Sequence, residues 1–314
     1  MYLEYNSKGR EKVSPENEGN EKDRQMSDKT MIEQDSSYHI TLRPDDKSAR
    51  LNLGEVWQYR DLVVLLTKRT FTVTYQQTVL GPLWIIINPV LSSLIYMFVF
   101  GHIADVGTAG IPQILFYFVS SAVWEIFSFS LTRNSQTFVA NAYLFSKVYF
   151  PRICVPISNM IVSILKFLIQ LLIVAVLLVT FVIKGDVSPM WALYPLLPLL
   201  FLQMAIFGMS VGVLISSVTT KYRDLLAVVN VLVNLWMYGS AVVYPISSIP
   251  DGVMKILVKI NPVSEMMELI RMIMLGQGEF DLVYYLAGLV ITILMFFFSI
   301  IIFNRVERTF ADTV

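Results

Sequence analysis

Two ionisable side chains, Glu125 and Lys166, lie inside long apolar stretches and are the residues with most capacity for chemistry. A charge buried in a bilayer is unfavourable by about 2.5–3.5 kcal/mol on insertion scales, so each side chain needs a partner or a wet cavity. At 1.5 Å per helical residue, Glu125 lies roughly 10 Å deep and Lys166 roughly 15 Å deep, measured from the same side. Adjacent antiparallel helices would therefore bring the two within pairing reach. Either the pair fixes helix packing, or Lys166 extends toward the membrane surface.

The sequence contains no other arrangement that supports catalysis. It has no GxxxxGK[ST], GxSxG or HExxH motif and no dense acidic cluster. The single cysteine, Cys154, excludes an intramolecular disulfide, and two histidines are too few for a zinc cluster. The net charge of zero gives no indication of nucleic-acid binding. We therefore predict no metal, no cofactor and no enzyme activity. A membrane-embedded acyl- or glycosyltransferase is the less favoured alternative, because Glu125 and Lys166 are isolated.

Six apolar stretches position these residues, and each reaches the roughly 20 residues that a helix needs to cross a bilayer. They cover 83–104, 111–132, 153–183, 190–218, 225–245 and 282–303. The chain is 55% hydrophobic and only 15% charged, whereas the helices of a soluble domain need polar faces. The sequence therefore predicts an all-α polytopic membrane protein with six transmembrane helices, within a domain that covers 51–314.

The charged residues between the stretches predict the orientation in the membrane. Nine lysine and arginine residues flank one side and four flank the other, and the richer side is usually cytoplasmic. Both termini are therefore predicted to be cytoplasmic, which an even number of spans also requires. Residues 1–50 are dense in charged and small polar residues and lack the apolar core of a secretory signal. This composition predicts a disordered cytoplasmic leader.

Three segments outside the stretches are predicted to be helical. Residues 53–73 have apolar side chains at spacings of three and four, which predicts an amphipathic helix at the membrane surface, or alternatively one packed on a cytoplasmic partner. Segment 133–152 is long for a turn, which predicts a short helix that forms a docking surface, or else an ordinary loop. Segment 250–276 predicts two short re-entrant or membrane-surface helices with a break at Pro262. We call the helix predicted over 53–73 the interface helix, and we assign Trp57, Tyr59 and Arg60 to it.

Polar and small residues inside the apolar stretches predict contacts between helices. Pro89 removes a backbone N–H from the first stretch, which is tolerated only where a neighbour satisfies the freed carbonyl. Gly208 and Gly212 form a GxxxG pair that permits close helix approach. Asn230 and Asn234 place polar groups one turn apart, and these should face protein or water rather than lipid.

Five motifs, taken in order, resemble landmarks of the polysaccharide-exporting ABC-transporter permeases. The first is WQYRDLVVLLTKRTFTVTYQQTVLGPLWIIINPV from Trp57. The others are KVYFPRICVPISN from Lys147, TTKYRDL from Thr219, VVYPISSIP from Val242 and KINPVSEMMELIR from Lys259. The resemblance covers roughly residues 50–310 and leaves the leader outside it.

This resemblance implies an inner-membrane exporter of a lipid-linked polysaccharide, with O-antigen as the favoured cargo. The alternative beside it is an exporter of small amphipathic drugs from a sister permease family. It implies a homodimer that works with two copies of a separate ATPase, on which ATP and Mg²⁺ bind. By likeness, 133–152 is the coupling segment, 53–73 the interface helix and 250–276 the periplasmic gate. The predicted contacts with the ATPase are Asn141, Tyr143, Leu144 and Lys147.

The family's path for the polymer is lined by aromatic side chains, whose flat rings offer sugars an apolar face beside polar edges. The candidates in this chain are Tyr96, Phe100, Tyr117, Trp124, Trp236, Tyr238 and Tyr244. The alternative for each ring is a place in the interfacial belt or between helices. The resemblance also adds a third interpretation of Lys166, in which its ammonium faces the path and attracts the pyrophosphate of the lipid carrier.

Overall fold

The computed structural model describes residues 53–148 and 150–311, and the regular secondary structure within these ranges is helical. The predicted leader, 1–50, lies outside the described residues. The helices α1 to α11 run, in order, over Leu53–Gln58, Arg60–Tyr75, Trp84–Tyr96, Gln113–Ser135, Thr137–Lys147, Cys154–Lys184, Leu197–Thr219, Leu225–Tyr238, Val253–Ile260, Pro262–Leu275 and Leu282–Ala311. Short 3₁₀ turns precede α3, α7 and α9, and a π-helical segment, Met97–Ile103, continues α3.

Five helical stretches of the described chain are long and apolar enough to cross a membrane. They are Gly81–Ile103, Gln113–Ser135, Cys154–Lys184, Trp191–Thr219 and Leu282–Val306. This confirms the prediction of an all-α polytopic membrane protein.

The stretch predicted over 225–245 is helical only over Leu225–Tyr238. Its 14 residues extend about 21 Å at 1.5 Å each, less than the ~30 Å of hydrocarbon. The helix ends at Gly239, after which Ala241 has a positive φ of 48° and Pro245 prevents continuation. The boundary predicted at 245 is therefore wrong.

Helix α4 lies at the centre of the bundle, and its side chains are buried along most of its length. It packs closely against α7, where a Cβ atom added at Gly208 would lie 2.6 Å from the carbonyl oxygen of Phe127. One added at Gly212 would lie 2.5 Å from that of Leu131. The predicted GxxxG contact is confirmed, because these two glycines let the helix backbones approach closely.

The two ends of α4 define two ends of the bundle, which we call the α5 end and the α10 end. At the α5 end, Phe138 of α5 stacks on Phe303 of α11 with ring centroids 4.9 Å apart. Helix α2 buries Val63 and Leu66 in the same apolar cluster. Segment 133–152 therefore contains the predicted short helix, with non-helical dihedral angles at Asn141 inside it.

The α10 end holds the pair of short helices predicted within 250–276. Asn261 caps α10 by accepting a hydrogen bond from the backbone N–H of Val263 at 3.2 Å, and Pro262 occupies the first helical position. Gly276 ends the helix in the left-handed conformation, with φ of 77°. Helix α10 is buried along nearly its whole length, and its Arg271 donates at 3.3 Å to Ser120 in the first turns of α4.

Candidate functional site

Glu125 and Lys166 form a hydrogen-bonded ion pair between α4 and α6. The Lys166 ammonium also lies 4.2 Å from the ring centroid of Phe129, close enough for a cation–π interaction. Gln170, one turn further along α6, donates at 2.6 Å to the second carboxylate oxygen of Glu125. The pairing expected from the sequence is present, and each oxygen of the carboxylate has its own donor.

Gln170 also joins this cluster to the proline of the first span. Pro89 has no N–H to give to the carbonyl of Ile85, four residues earlier in α3. The same Gln170 amide group donates at 3.0 Å to that carbonyl. The prediction that a neighbour satisfies the freed carbonyl is therefore confirmed. Gln170 itself was not predicted, although its position at i+4 from Lys166 on an apolar helix is a signal that the sequence carries.

The chemistry of this cluster favours helix packing over catalysis. The ammonium of Lys166 is occupied by a carboxylate and an aromatic face, with 9% of its side chain exposed. Among the described residues, no group of three or more His, Cys, Asp or Glu side chains could hold a metal ion. Burial, together with the nearby Glu125 carboxylate, raises the pKa of Tyr75 in α2 to about 12, so its phenol stays neutral at pH 7.

Four of the predicted path residues come together beside the π-helical segment, and we call them the aromatic wall: Tyr96, Phe100, Tyr238 and Tyr244. The ring centroid of Phe100 lies 6.4 Å from that of Tyr96 and 6.2 Å from that of Tyr238. The Tyr244 hydroxyl donates at 2.8 Å to the Tyr238 carbonyl, and 47% of Tyr238 is exposed. The wall therefore joins α3 to α8 and leaves aromatic surface uncovered.

The other three predicted rings lie inside the bundle. Tyr117 and Trp124 are buried on α4, and Trp124 packs against Phe127 with centroids 5.1 Å apart. Trp236 lies 5.2 Å from the same Phe127 ring, and its indole N–H donates at 3.4 Å to Asn261. Within this chain, these three rings contact other helices rather than an open surface.

Helix α8 combines one buried stripe with an exposed face that carries polar side chains. It buries one stripe, formed by Val229, Val233 and Met237. Asn230 and Asn234 lie on its exposed surface. Amide side chains on a membrane helix are expected to face protein or water rather than acyl chains. The polar face of α8 is not covered by the described residues, so it is available to a second copy or to a hydrated path.

The four residues predicted to contact an ATPase are divided between two faces of α5. Tyr143 is 73% exposed, and the ammonium of Lys147 lies 4.4 Å from its ring centroid. Leu144 is partly buried against the apolar cluster of the α5 end. Asn141 donates at 2.9 Å to the Thr137 carbonyl, at the point where the helix is distorted. Tyr143 and Lys147 therefore form the accessible part of this surface.

The predicted interface helix is present as two helices, α1 and α2, rather than one. The chain turns at Tyr59, whose φ and ψ are −93° and 19°. Trp57 is exposed, and the Arg60 guanidinium lies 5.8 Å from its ring centroid. The prediction of one continuous helix over 53–73 is therefore wrong, although Val56 of α1 and Tyr59 pack against the same apolar cluster as Val63 and Leu66 of α2.

Comparison with known proteins gives one family and several named relatives. The sequence profile of the family described as ABC-2 type transporter matches residues 61–275. A protein from Klebsiella pneumoniae named O-antigen export system permease protein RfbA is 28% identical over 267 residues, which cover 84% of this chain and 97% of the relative. A protein of the same name from Myxococcus xanthus is 26% identical over 261 residues, which cover 83% of this chain and 98% of the relative.

Proposed function

This chain belongs to the ABC-2 type transporter family, and we propose that it is the permease subunit of an ATP-driven exporter. The proposed cargo is a lipid-linked polysaccharide, with O-antigen as the favoured one. The family's membrane subunits work with ATPase activity on a separate subunit. The observation that supports this choice of cargo is the match to O-antigen export permeases along most of both chains. The uncovered aromatic wall suits a sugar polymer, since rings pair with the apolar faces of sugars.

In this proposal the polymer passes between two copies of the chain. The exposed Asn230 and Asn234 of α8 meet water or the second copy instead of lipid. The aromatic wall lies on the same side of the bundle, because Tyr238 is the last residue of α8 and contacts Phe100. Helix α8 acts as the sixth span, completed by residues 239–249 and by α9 and α10 as re-entrant helices.

The α5 end faces the cytoplasm and receives the ATPase, two copies of which bind ATP and Mg²⁺ for the dimer. This orientation follows from the excess of lysine and arginine on that side of the predicted spans. Both termini then lie in the cytoplasm, and the α10 end faces the periplasm. Tyr143 and Lys147 of α5 offer the exposed contact with the ATPase.

The proposal is tested in cells that lack the permease gene and carry the cognate ATPase. The wild-type chain should restore glycan at the cell surface, as read on a lipopolysaccharide gel, and Tyr238→Ala should reduce it at an unchanged protein level. Restored resistance to amphipathic drugs without surface glycan would overturn the proposed cargo.

A cross-linking experiment tests the ATPase contact. Cysteine introduced at Tyr143 should cross-link to the ATPase, whereas cysteine at Lys184, the last residue at the other end of α6, should not. The native Cys154 is buried and therefore gives little background. Cross-linking from 184 and not from 143 would reverse the proposed orientation.

A further inference from the structure

A polar cavity of about 180 Å³ lies at the α5 end, where α2, α4, α5 and α6 meet. Arg69 on α2 and Arg133 on α4 line it, together with Gln136, Asn141 and Asn159. It is smaller than the roughly 300–1,000 Å³ of pockets that enclose drug-sized molecules. A small headgroup is therefore a better fit than a whole organic ligand.

The charged side chains that line this cavity are all positive. Its lining contains two arginines and no aspartate or glutamate. Within the described part of the chain, neither arginine makes an ion pair with a carboxylate. The intramembrane carboxylate of α4, Glu125, is already occupied by Lys166 and Gln170. Arg133 lies 5.6 Å from the ring centroid of Phe129 and Arg69 is exposed. Two guanidinium groups without a carboxylate partner among the described residues, beside a partly open space, attract an anion.

The cavity is also held in shape by hydrogen bonds that leave donors free. One nitrogen of Arg133 donates at 3.0 Å to the Thr74 hydroxyl, which ties α4 to α2. A guanidinium carries five N–H donors, so others remain for a ligand. Asn159, which is 6% exposed, is fixed by a 3.1 Å hydrogen bond to Asn134. The site is therefore positioned before any ligand arrives.

We propose that this cavity binds a phosphate or diphosphate ester group. Guanidinium forks match the oxygens of phosphate in pairs, and these charge-assisted hydrogen bonds are about twice as strong as neutral ones. Arg133 lies in the last turn of α4, at the end of the bundle that the proposed function assigns to the cytoplasmic side. If the proposed function holds, the source is the diphosphate of the lipid carrier. The site would also link the lipid carrier to the ATPase, because its ligand would contact both α2 of the interface helix and α5 of the coupling segment.

This assignment moves the anion site away from Lys166. Lys166 is neutralised by Glu125, whereas Arg69 and Arg133 have no carboxylate partner among the described residues. The two locations make different predictions, since Lys166→Met should leave anion binding at the cavity unchanged.

The test uses the purified full-length chain in nanodiscs without ATPase or glycan, so that its result is separate from the export assay. Binding of undecaprenyl diphosphate and of inorganic pyrophosphate is measured by native mass spectrometry or thermophoresis. Arg69→Gln and Arg133→Gln should each weaken binding about tenfold or more, as expected for a lost charge-assisted hydrogen bond.

Lys68→Gln is the matched control. Lys68 is the neighbour of Arg69 on α2, but it lines a separate apolar groove against α6. Its substitution should change the affinity less than twofold. A loss in Lys68→Gln equal to that in Arg69→Gln would show general surface attraction and overturn the proposal.

A second variant decides the question if an arginine variant fails to fold. Ala140 lies at the exposed rim of the cavity, so Ala140→Trp fills the space while both arginines stay. Binding retained in Ala140→Trp overturns the site. Loss of binding in Ala140→Trp supports the site. Binding of both the lipid and pyrophosphate by the wild-type chain supports recognition of the phosphate groups themselves, and wild-type binding of the lipid alone identifies the lipid headgroup as the source.

Discussion

The hydrogen bond between Gln170 and the Ile85 carbonyl should be coupled energetically to Pro89. Gln170→Leu removes two hydrogen bonds, at 3.0 Å to the Ile85 carbonyl and at 2.6 Å to the Glu125 carboxylate. Hydrogen bonds inside membrane proteins contribute on average about 0.6 and at most about 1.7 kcal/mol, and bonds to charged groups contribute about 1.5–3 kcal/mol. The substitution should therefore lower the free energy of unfolding by about 2–5 kcal/mol.

The same substitution should be milder in a Pro89→Ala background. Alanine restores the backbone N–H that bonds to the Ile85 carbonyl within α3, so only the bond to Glu125 is lost. The two effects should differ by about 0.6–1.7 kcal/mol, which is the coupling free energy of the double-mutant cycle.

The assay is reversible unfolding of the purified chain in mixed micelles with increasing sodium dodecyl sulfate, followed by circular dichroism. Gln203→Leu serves as a control, because Gln203 accepts a 2.9 Å hydrogen bond from Tyr285 in another part of the bundle. Its effect should be the same with proline or alanine at position 89. An equal effect of Gln170→Leu in both backgrounds would refute the link between Pro89 and Gln170.

Three further outcomes are expected. Lys166→Met and Glu125→Gln should each lower the protein level on an immunoblot, because each leaves a buried partner unpaired, and the double variant should recover it. Gly212→Leu should lower the unfolding free energy by about 1–3 kcal/mol or more through its clash with the α4 backbone, while Gly107→Ala, which has open space around it, should not. Burial raises the pKa of Glu265 to about 7, so the folded state holds its proton more tightly than the unfolded state. The melting temperature should therefore fall as pH rises from about 5 to about 8, and Glu265→Gln should remove that dependence.

The sequence predicts which segments form helices better than it predicts which face each helix turns toward its neighbours. Length and hydropathy identify the spans, and Pro89 predicts that a carbonyl needs a donor. Which residue donates depends on how α3 meets α6, and one sequence does not specify that contact. For the same reason the seven candidate aromatics look alike in the sequence. Tyr96 and Tyr238 border an open face, whereas Tyr117 is enclosed, because each helix turns toward the neighbours it packs on.

Hydropathy also gives the wrong end for α8. The apolar residues after Tyr238 continue the hydrophobic pattern, so composition alone extends the helix to 245. The stop comes from backbone geometry at Gly239 and from the positive φ of Ala241. Gly239 and Pro245 are the signals in the sequence for an early end, because glycine favours helix termination and proline lacks the N–H that a helix needs.

The shortness of α8 has a consequence for a hydrated polymer in the proposed exporter. A 14-residue helix is about 21 Å long and leaves roughly 9 Å of a ~30 Å hydrocarbon layer without a continuous apolar wall on that side. The continuous apolar surface of α8 ends at Tyr238, its last residue. Water that enters from the α10 end would reach the level of the aromatic wall without crossing lipid. A sugar chain would then be separated from water at the α10 end over about two thirds of the bilayer thickness rather than all of it.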